Sequence, residues 1–247
     1  MLSIETTRRV ARVTLERPRA RNALSSELVR RLGSTLSELD ADPSVGAIVL
    51  AGSPPGFCAG SDLKELAGMD VAEMSAHESE TGAMARGIAL LGTPVVAAVE
   101  GFALGGGFVL AVSCDLVVTG RSTAWHLPEV SLGWVPPWGL QALAARVGPV
   151  AARRLTWGAD PMDGTEAHRQ GVADELAEDG EAVAAADRLA AKLAAMPASA
   201  IASTKRAFAA LAIGGGEALD AEANRLFVSD CNDDRARESL ARFRGRQ

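Results

Sequence analysis

Three cysteines and three histidines are all that the 247 residues contain. Cys58, Cys114 and Cys231 lack the spacing of a metal or redox motif, so buried, reduced thiols are expected rather than a disulfide framework. His77, His126 and His168 belong to no HExxH and have no companion Cys cluster, which argues against a dedicated transition-metal centre. No uninterrupted apolar run reaches the length needed to span a bilayer. The N-terminal stretch MLSIETTRRVARVTLERP carries charges where a signal peptide needs an apolar segment, so a cytoplasmic protein is expected. There is no GxGxxG and no GK[ST] loop, which leaves a nucleotide or dinucleotide site unsupported. Basic residues are outnumbered, 25 Lys and Arg against 31 Asp and Glu, a net charge of -6, so neither nucleic acid nor a membrane surface is an expected partner.

What is present is the balance of a globular protein: 48% hydrophobic and 23% charged residues, in a chain long enough to bury a sizeable core. Val10 to Leu15 alternates as a strand does and is ended by Arg17-Pro18. Leu28, Leu32, Leu36 and Leu39 then share one helical face, with Asn22, Ser25 and Ser26 near its start. Val45 to Ala51 reads as an apolar strand, followed by the Gly/Pro-rich loop GSPPGFCAGSDLKEL. Val71 to Leu91 is helical with a polar middle, HESETG, expected to be a solvated face or a mobile cover.

The most organised stretch is Val95 to Asp115, VVAAVEGFALGGGFVLAVSCD, a strand, a glycine turn and a helix start. LVVTG and STAWH are two further short strands, and LPEVSLGWVPPWG is a loop rich in Pro, Gly and Trp. Helical patterning resumes over Leu140 to Val147 and Val150 to Trp157, with a helix capped at Thr165 and a last strand near Val172 to Leu176. Beyond Gly180 come three alanine-rich helices separated by Pro197 and by Gly214 to Gly216, then a basic tail, ARFRGRQ. A mixed α/β core with an all-helical C-terminal part follows, divided at 1–185 and 186–247.

Two glycine-bearing turns, Ala59-Gly60-Ser61-Asp62 and Gly105-Gly106-Gly107, each offer backbone N–H groups. Donors from two loops converging on one oxygen make an oxyanion hole, which needs backbone geometry rather than any side chain. An acid or base must come from elsewhere. Asp62 and Glu65 begin a helix, where the dipole favours negative charge whatever the function, and Glu100 reads as a solvated turn. Glu129 differs, because Leu127, Val130, Leu132, Trp125, Trp134 and Trp138 surround it in sequence. Desolvation there would raise its pKa into a range suited to proton transfer, although capping a short helix after Pro128 is an alternative role.

The segments RPRARNAL (17–24), FCAGSDLKEL (57–66), AAVEGFALGGGFVLAVSCDLVV (97–118) and LPEVSLGWVPPWG (127–139) resemble, in order and spacing, four blocks of the crotonase superfamily, the enoyl-CoA hydratase/isomerase family. The resemblance implies a spiral of ββα units with a helical C-terminal trimerisation region, assembled as a trimer or a dimer of trimers. It implies an acyl-CoA substrate and no separate cofactor. The thioester oxygen would be held by the N–H groups of Ser61 and Gly106, with Ala59 against the adenine. Lys64 and Arg19 or Arg21 would meet CoA phosphates, and Arg242 or Arg244 a neighbouring subunit's CoA.

Two positions depart from the hydratases of that family. These carry two glutamates that hold a water; here the second is Glu129, but the first position is occupied by Val109, which cannot orient water. Pro137 stands where hydratases have glycine and removes an N–H, and Trp134 and Trp138 should narrow the acyl pocket. The expected reaction is therefore 3-enoyl to 2-enoyl-CoA isomerisation with Glu129 as sole base. Hydration, then decarboxylation or C–C bond formation through the same enolate, and finally non-catalytic acyl-CoA binding are the alternatives.

Overall fold

The structure is a computed structural model that describes residues 1–158 and 160–244, Arg244 by its backbone alone. It opens with a hairpin of which the sequence pattern reveals only half. Strand β1 (Leu2–Thr7) pairs antiparallel with β2 (Val10–Leu15) across Arg8 and Arg9. β1 lies at the edge, largely exposed, and so lacks the apolar alternation that marks β2. Helix α1 (Ser26–Ala41) follows. The Ser25 hydroxyl accepts from the Leu28 N–H at its start, and Leu28, Leu32 and Leu36 bury its apolar face.

The next elements repeat a theme. β3 (Ala47–Gly52) leads through the Gly/Pro loop to α2 (Leu63–Leu66) and α3 (Val71–Gly87), the latter opened by an Asp70–Glu73 capping box. β4 (Val95–Val99) is followed by the short β5 (Phe102–Leu104) and α4 (Gly106–Val112). β6 (Leu116–Gly120) is followed by the short β7 (Ala124–His126) and α5 (Glu129–Leu132). After α6 (Leu140–Val147), α7 (Pro149–Thr156) and α8 (Gly164–Arg169) comes a last strand, β8 (Glu175–Ala177). The long strands form one sheet in the order β1-β2-β3-β4-β6-β8, parallel from β2 onward. The short strands β5 and β7 pair in parallel in a second layer, which bridges at Cys58–Ala103 and Trp125–Met162 extend. Each ββα unit thus ends at a short strand whose C-terminal edge leads into a helix, and that edge carries the site.

The main sheet is covered on both faces, as its near-continuous apolar strands require. On one face Val13, Ile48, Leu50, Val95, Ala97 and Val99 pack with α1, α3 and α4. On the other, the alternate residues Ala47, Val49, Ala51, Val96 and Ala98 meet the alanine stripe of α9 (Ala182–Ala194). The division expected at 185/186 therefore falls inside a continuous helix that is part of the sheet's covering. Three more helices follow, α10 (Ala198–Ile213), α11 (Gly216–Asp230) and α12 (Asp234–Arg244). Phe227, Cys231, Ala236 and Leu240 of α11 and α12, with the turn between them, pack on Leu66, Met74 and Trp134, so the C-terminus folds back over the site.

Four local expectations are corrected. The basic tail begins inside α12. Asp163, not Thr165, caps α8, accepting from the Glu166 N–H, because the loop before it turns one residue pair earlier. The last strand is Glu175–Ala177, its pairing with β6 beginning beyond Ala173. The polar middle of α3 is buried at His77, Glu78, Thr81 and Gly82, since α1 lies on one side of the helix and α11 on another. The three cysteines are free and buried. Among the described residues no helix is long and apolar enough to cross a membrane, and no group of three or more His, Cys, Asp or Glu could hold a metal ion.

Candidate active site

Two backbone amides meet where the second and third units touch. Gly106 is the first residue of α4, so its N–H has no acceptor within the helix. Gly105 before it adopts φ 53°, ψ -128°, a conformation available to glycine alone. Across the gap stands Gly60 at φ 89°, where a β-carbon would lie 2.9 Å from the Gly106 nitrogen. One on Gly106 would lie 3.5 Å from the Ser61 nitrogen. The Ser61 and Gly106 amides are thus neighbours, and neither donates to any acceptor among the described residues. Two free, converging N–H groups are what a developing oxyanion needs.

The loop carrying Ser61 is held from several sides. Leu24 N–H donates to the Gly60 carbonyl at 2.8 Å, and Asp62 N–H donates to the Leu24 carbonyl at 3.0 Å. Asp62 caps α2 through the Lys64 and Glu65 N–H groups and pairs with Arg17 at 2.9 Å. Buried Asn22 donates to the carbonyls of Ser53 and Gly56 at 2.7 and 2.8 Å. The first sequence block is therefore a brace for the amide-bearing loop.

Glu129 opens α5 beside this pair. It is 7% exposed, and its Oε1 lies 2.8 Å from the point where a β-carbon on Gly105 would stand. Its Oε2 is buried with no hydrogen-bond partner. Burial pushes the carboxyl up to about 8; its own backbone N–H pulls the other way, and the charge of Glu78 adds to the rise.

Glu78, from the buried side of α3, lines the same cavity at 2% exposure. Its Oε2 accepts a 2.8 Å hydrogen bond from Trp138 Nε1. Burial raises its pKa as well, opposed by the neighbouring His77 and by hydrogen bonds with Ser61 and Trp138. The cavity that these groups enclose is about 60 Å³, walled by Leu132, Trp134, Pro137, Phe227 and Leu240. A larger one of about 270 Å³ is lined by Gly82, Gly139, Arg86 and Asp220, Gly82 lying against the Trp138 side chain. Its acids are neutralised, Asp220 by Arg86 and Asp115 by Lys205, so the smaller cavity is the one equipped for chemistry.

With this geometry in view, comparison with known proteins is decisive. The family model described as enoyl-CoA hydratase/isomerase matches residues 5–247. The chain belongs to the enoyl-CoA hydratase/isomerase family. It is 41% identical over 196 residues to a "Probable enoyl-CoA hydratase" of Rhizobium meliloti, covering 76% of this chain and 75% of that protein. It is 35% identical over 187 residues to a short-chain-enoyl-CoA hydratase of Clostridium acetobutylicum, covering 75% and 72%. A crystal structure of an enoyl-CoA hydratase from Mycobacterium smegmatis superposes with a TM-score of 0.87 at 26% identity, covering 97% of this chain and 87% of that one. The crotonase-type α/β fold with a helical C-terminal region is thereby shown.

In this enoyl-CoA hydratase/isomerase family member, Ala59, Gly60, Ser61, Gly105, Gly106, Val109, Glu129, Leu132, Trp134, Pro137 and Trp138 all border the cavity. Val109 is 1% exposed, and its Cγ1 stands 2.0 Å from where a β-carbon on Gly139 would be, so it fills its place tightly. Trp134 meets Phe227 edge-on at 6.4 Å between ring centres. Asp62 does not reach the cavity; its carboxylate is occupied by α2 and Arg17. Arg19, Arg21 and Lys64 are exposed beyond the cavity lining, Arg21 lying over the Phe102 ring at 4.4 Å. Arg242 is exposed on α12, whereas the side chain of Arg244 lies outside the described residues. Glu100 is a brace rather than a solvated turn, accepting the Ala182 N–H at the start of α9 at 2.7 Å. Glu65 accepts from the Ser26 N–H and hydroxyl, and His126 contacts the Gly158 carbonyl.

The expectation of a single carboxyl in the pocket is overturned by Glu78. A signal for it exists: Met74, Glu78, Thr81 and Ala85 recur at the spacing of one helical face, and all are buried. Phe227 and Leu240 carried no comparable signal, since their place depends on the C-terminal helices folding back.

Proposed function

We propose that the protein isomerises 3-enoyl-CoA to 2-enoyl-CoA thioesters, with hydration of 2-enoyl-CoA as the competing reading. The unpartnered, buried Glu129 Oε2 beside two free amides carries this proposal. An acyl-CoA placed with its thioester oxygen on Ser61 and Gly106 N–H brings its α-carbon to Glu129. The carboxylate takes the α-proton, and the electron pair left behind is delocalised onto the oxygen held by the two amides. Each such donor is worth roughly 3–4 kcal/mol to the transition state. Return of a proton at the γ-carbon completes the double-bond shift.

Val109 supports isomerisation over hydration, because a water-holding carboxylate is missing from α4. Hydration is favoured by the names of the relatives and by the presence of a second carboxyl, Glu78. A cavity of about 60 Å³ with two tryptophans in its wall suits a short acyl group. CoA is carried in by the substrate, and no other cofactor is required by this chemistry. Arg19, Arg21 and Lys64, exposed beyond the cavity lining, are proposed to meet its phosphates. Helix α10, which has no fully buried residue and exposes Phe208 and Leu211, supports assembly as a homotrimer or dimer of trimers. A cytoplasmic location suits a pool of soluble CoA esters. Incubation with 3-hexenoyl-CoA and with crotonyl-CoA tests the reading: isomerisation of the first should exceed hydration of the second, and rapid hydration without isomerisation overturns it.

A further inference from the structure

We infer that Glu78 is the second proton-transfer group of this site, doing from helix α3 what no residue of α4 can do, and delivering to the γ-carbon the proton that the reaction requires. The inference rests on the isomerase reading above and assigns a role that the usual carboxylate position, occupied by Val109, leaves open.

The placement is specific. Glu129 flanks the two amides from the Gly105 side, and Glu78 flanks them from the Ser61 side, through contact with the Ser61 side chain. Trp138 links the second carboxyl to the hole: its Cζ2 would lie 3.1 Å from a β-carbon on Gly106, and its Nε1 holds Glu78 Oε2 at 2.8 Å. That bond fixes Oε2, and the carboxyl's second hydrogen bond, with the Ser61 side chain, holds it beside the amide-bearing loop at the cavity wall. A carboxyl serving only to anchor an indole could sit on an exposed helix face; this one is 2% exposed in an apolar pocket.

Two buried carboxyls around one small cavity do not ionise independently, and near neutral pH such a pair retains a proton. The other titratable groups facing Glu78 are His77 on its own helix and, just past the end of α11, Cys231, whose thiol burial raises with help from Asp230 and Glu78. Asp220 approaches the same turn of α3 near Gly82 but is paired with Arg86.

The step balances within the pair. Ionised Glu129 accepts the α-proton as the Cα–H bond breaks, and its electron pair forms the enolate. Neutral Glu78 then gives its proton to the γ-carbon, forming Cγ–H while the double bond moves to the α,β position. The two carboxyls have exchanged protonation states, with one proton between them before and after. Proton passage between them through solvent resets the site.

The test is Glu78→Gln, whose amide oxygen still accepts from Trp138 but which cannot exchange a proton, alongside Glu129→Gln and Trp138→Phe. Melting curves establish that each variant is folded. Isomerisation of 3-hexenoyl-CoA and deuterium uptake at its α-carbon in D₂O are measured separately. Glu78→Gln should lower isomerisation by about 10²- to 10⁴-fold while α-exchange stays within a few-fold of wild type. Glu129→Gln should abolish both. Trp138→Phe, which keeps Glu78, should retain far more isomerisation than Glu78→Gln. Isomerisation by Glu78→Gln within a few-fold of wild type overturns the role. So does a matching loss in Glu78→Gln and Trp138→Phe, which would make Glu78 an anchor. A wild type that neither exchanges nor isomerises overturns the isomerase reading itself, a result distinct from both.

Discussion

Glu129 Oε1 occupies space that only a glycine at position 105 leaves free, standing 2.8 Å from the place of the missing β-carbon. The same glycine turns the chain through φ 53°, ψ -128° to present the Gly106 amide. Base and oxyanion donor are thus positioned by one residue without a side chain. Gly105→Ala should lower kcat/KM by at least 100-fold through displacement of both groups and should destabilise the fold by about 1–3 kcal/mol through backbone strain. Steady-state kinetics and thermal melts check both effects.

The pH dependence follows from Glu129. As a base it must be ionised, so kcat/KM should rise about tenfold per pH unit toward 8, the value to which burial pushes its carboxyl, and should fall again at higher pH where Glu78 loses the proton it delivers. Stability should run the opposite way. The unfolded carboxyl releases its proton near 4.5 and the folded one near 8, so the folded state binds more protons between these values. Unfolding free energy therefore falls as pH rises across that window and flattens above it. The stability of Glu129→Gln relative to wild type should improve by ~4 kcal/mol between pH 4 and pH 9. Denaturant titrations at several pH values measure it.

Trp138 lines the cavity of about 60 Å³, and its side chain packs against Gly82, which lines the cavity of about 270 Å³. Trp138→Ala should join the two and move the preference toward longer acyl chains, raising the ratio of decenoyl- to butenoyl-CoA turnover. Loss of a buried tryptophan should cost about 3–5 kcal/mol of stability. A panel of acyl-CoA lengths reads the first effect and chemical denaturation the second.

Val109 lies on α4 within the cavity lining, next to Gly139. Val109→Glu places a carboxylate there, on an unbranched stem that can turn away from Gly139. The ratio of crotonyl-CoA hydration to 3-hexenoyl-CoA isomerisation should rise at least tenfold. An unchanged ratio would show that Val109 does not set the reaction type.

Much of this site could be read in the chain before it was folded. Ser61 and Gly106 were marked by glycines in two strand-to-helix turns, and Glu129 by the apolar residues around it, because these signals are local. Glu78 was not, because HESETG looks polar until α1 and α11 bury it from two sides. β1 leaves no mark in the sequence for the converse reason: an edge strand has little to bury and carries no alternation. Phe227 and Leu240 reach the cavity only through the return of α11 and α12, a long-range relation that no window of sequence contains. Asp62 caps α2, as its place at a helix start suggests, whereas Glu100 braces the start of α9 through a contact distant in sequence that its own neighbours do not signal.

The central claim is that Glu129 moves a proton at a carbon whose enolate the Ser61 and Gly106 amides stabilise. Deuterium uptake into the α-carbon of 3-hexenoyl-CoA in D₂O, followed by NMR for wild type and Glu129→Gln, tests it most directly. Rapid uptake by wild type and none above the uncatalysed rate by the folded, CoA-ester-binding variant is predicted. Equal uptake by both proteins would contradict it.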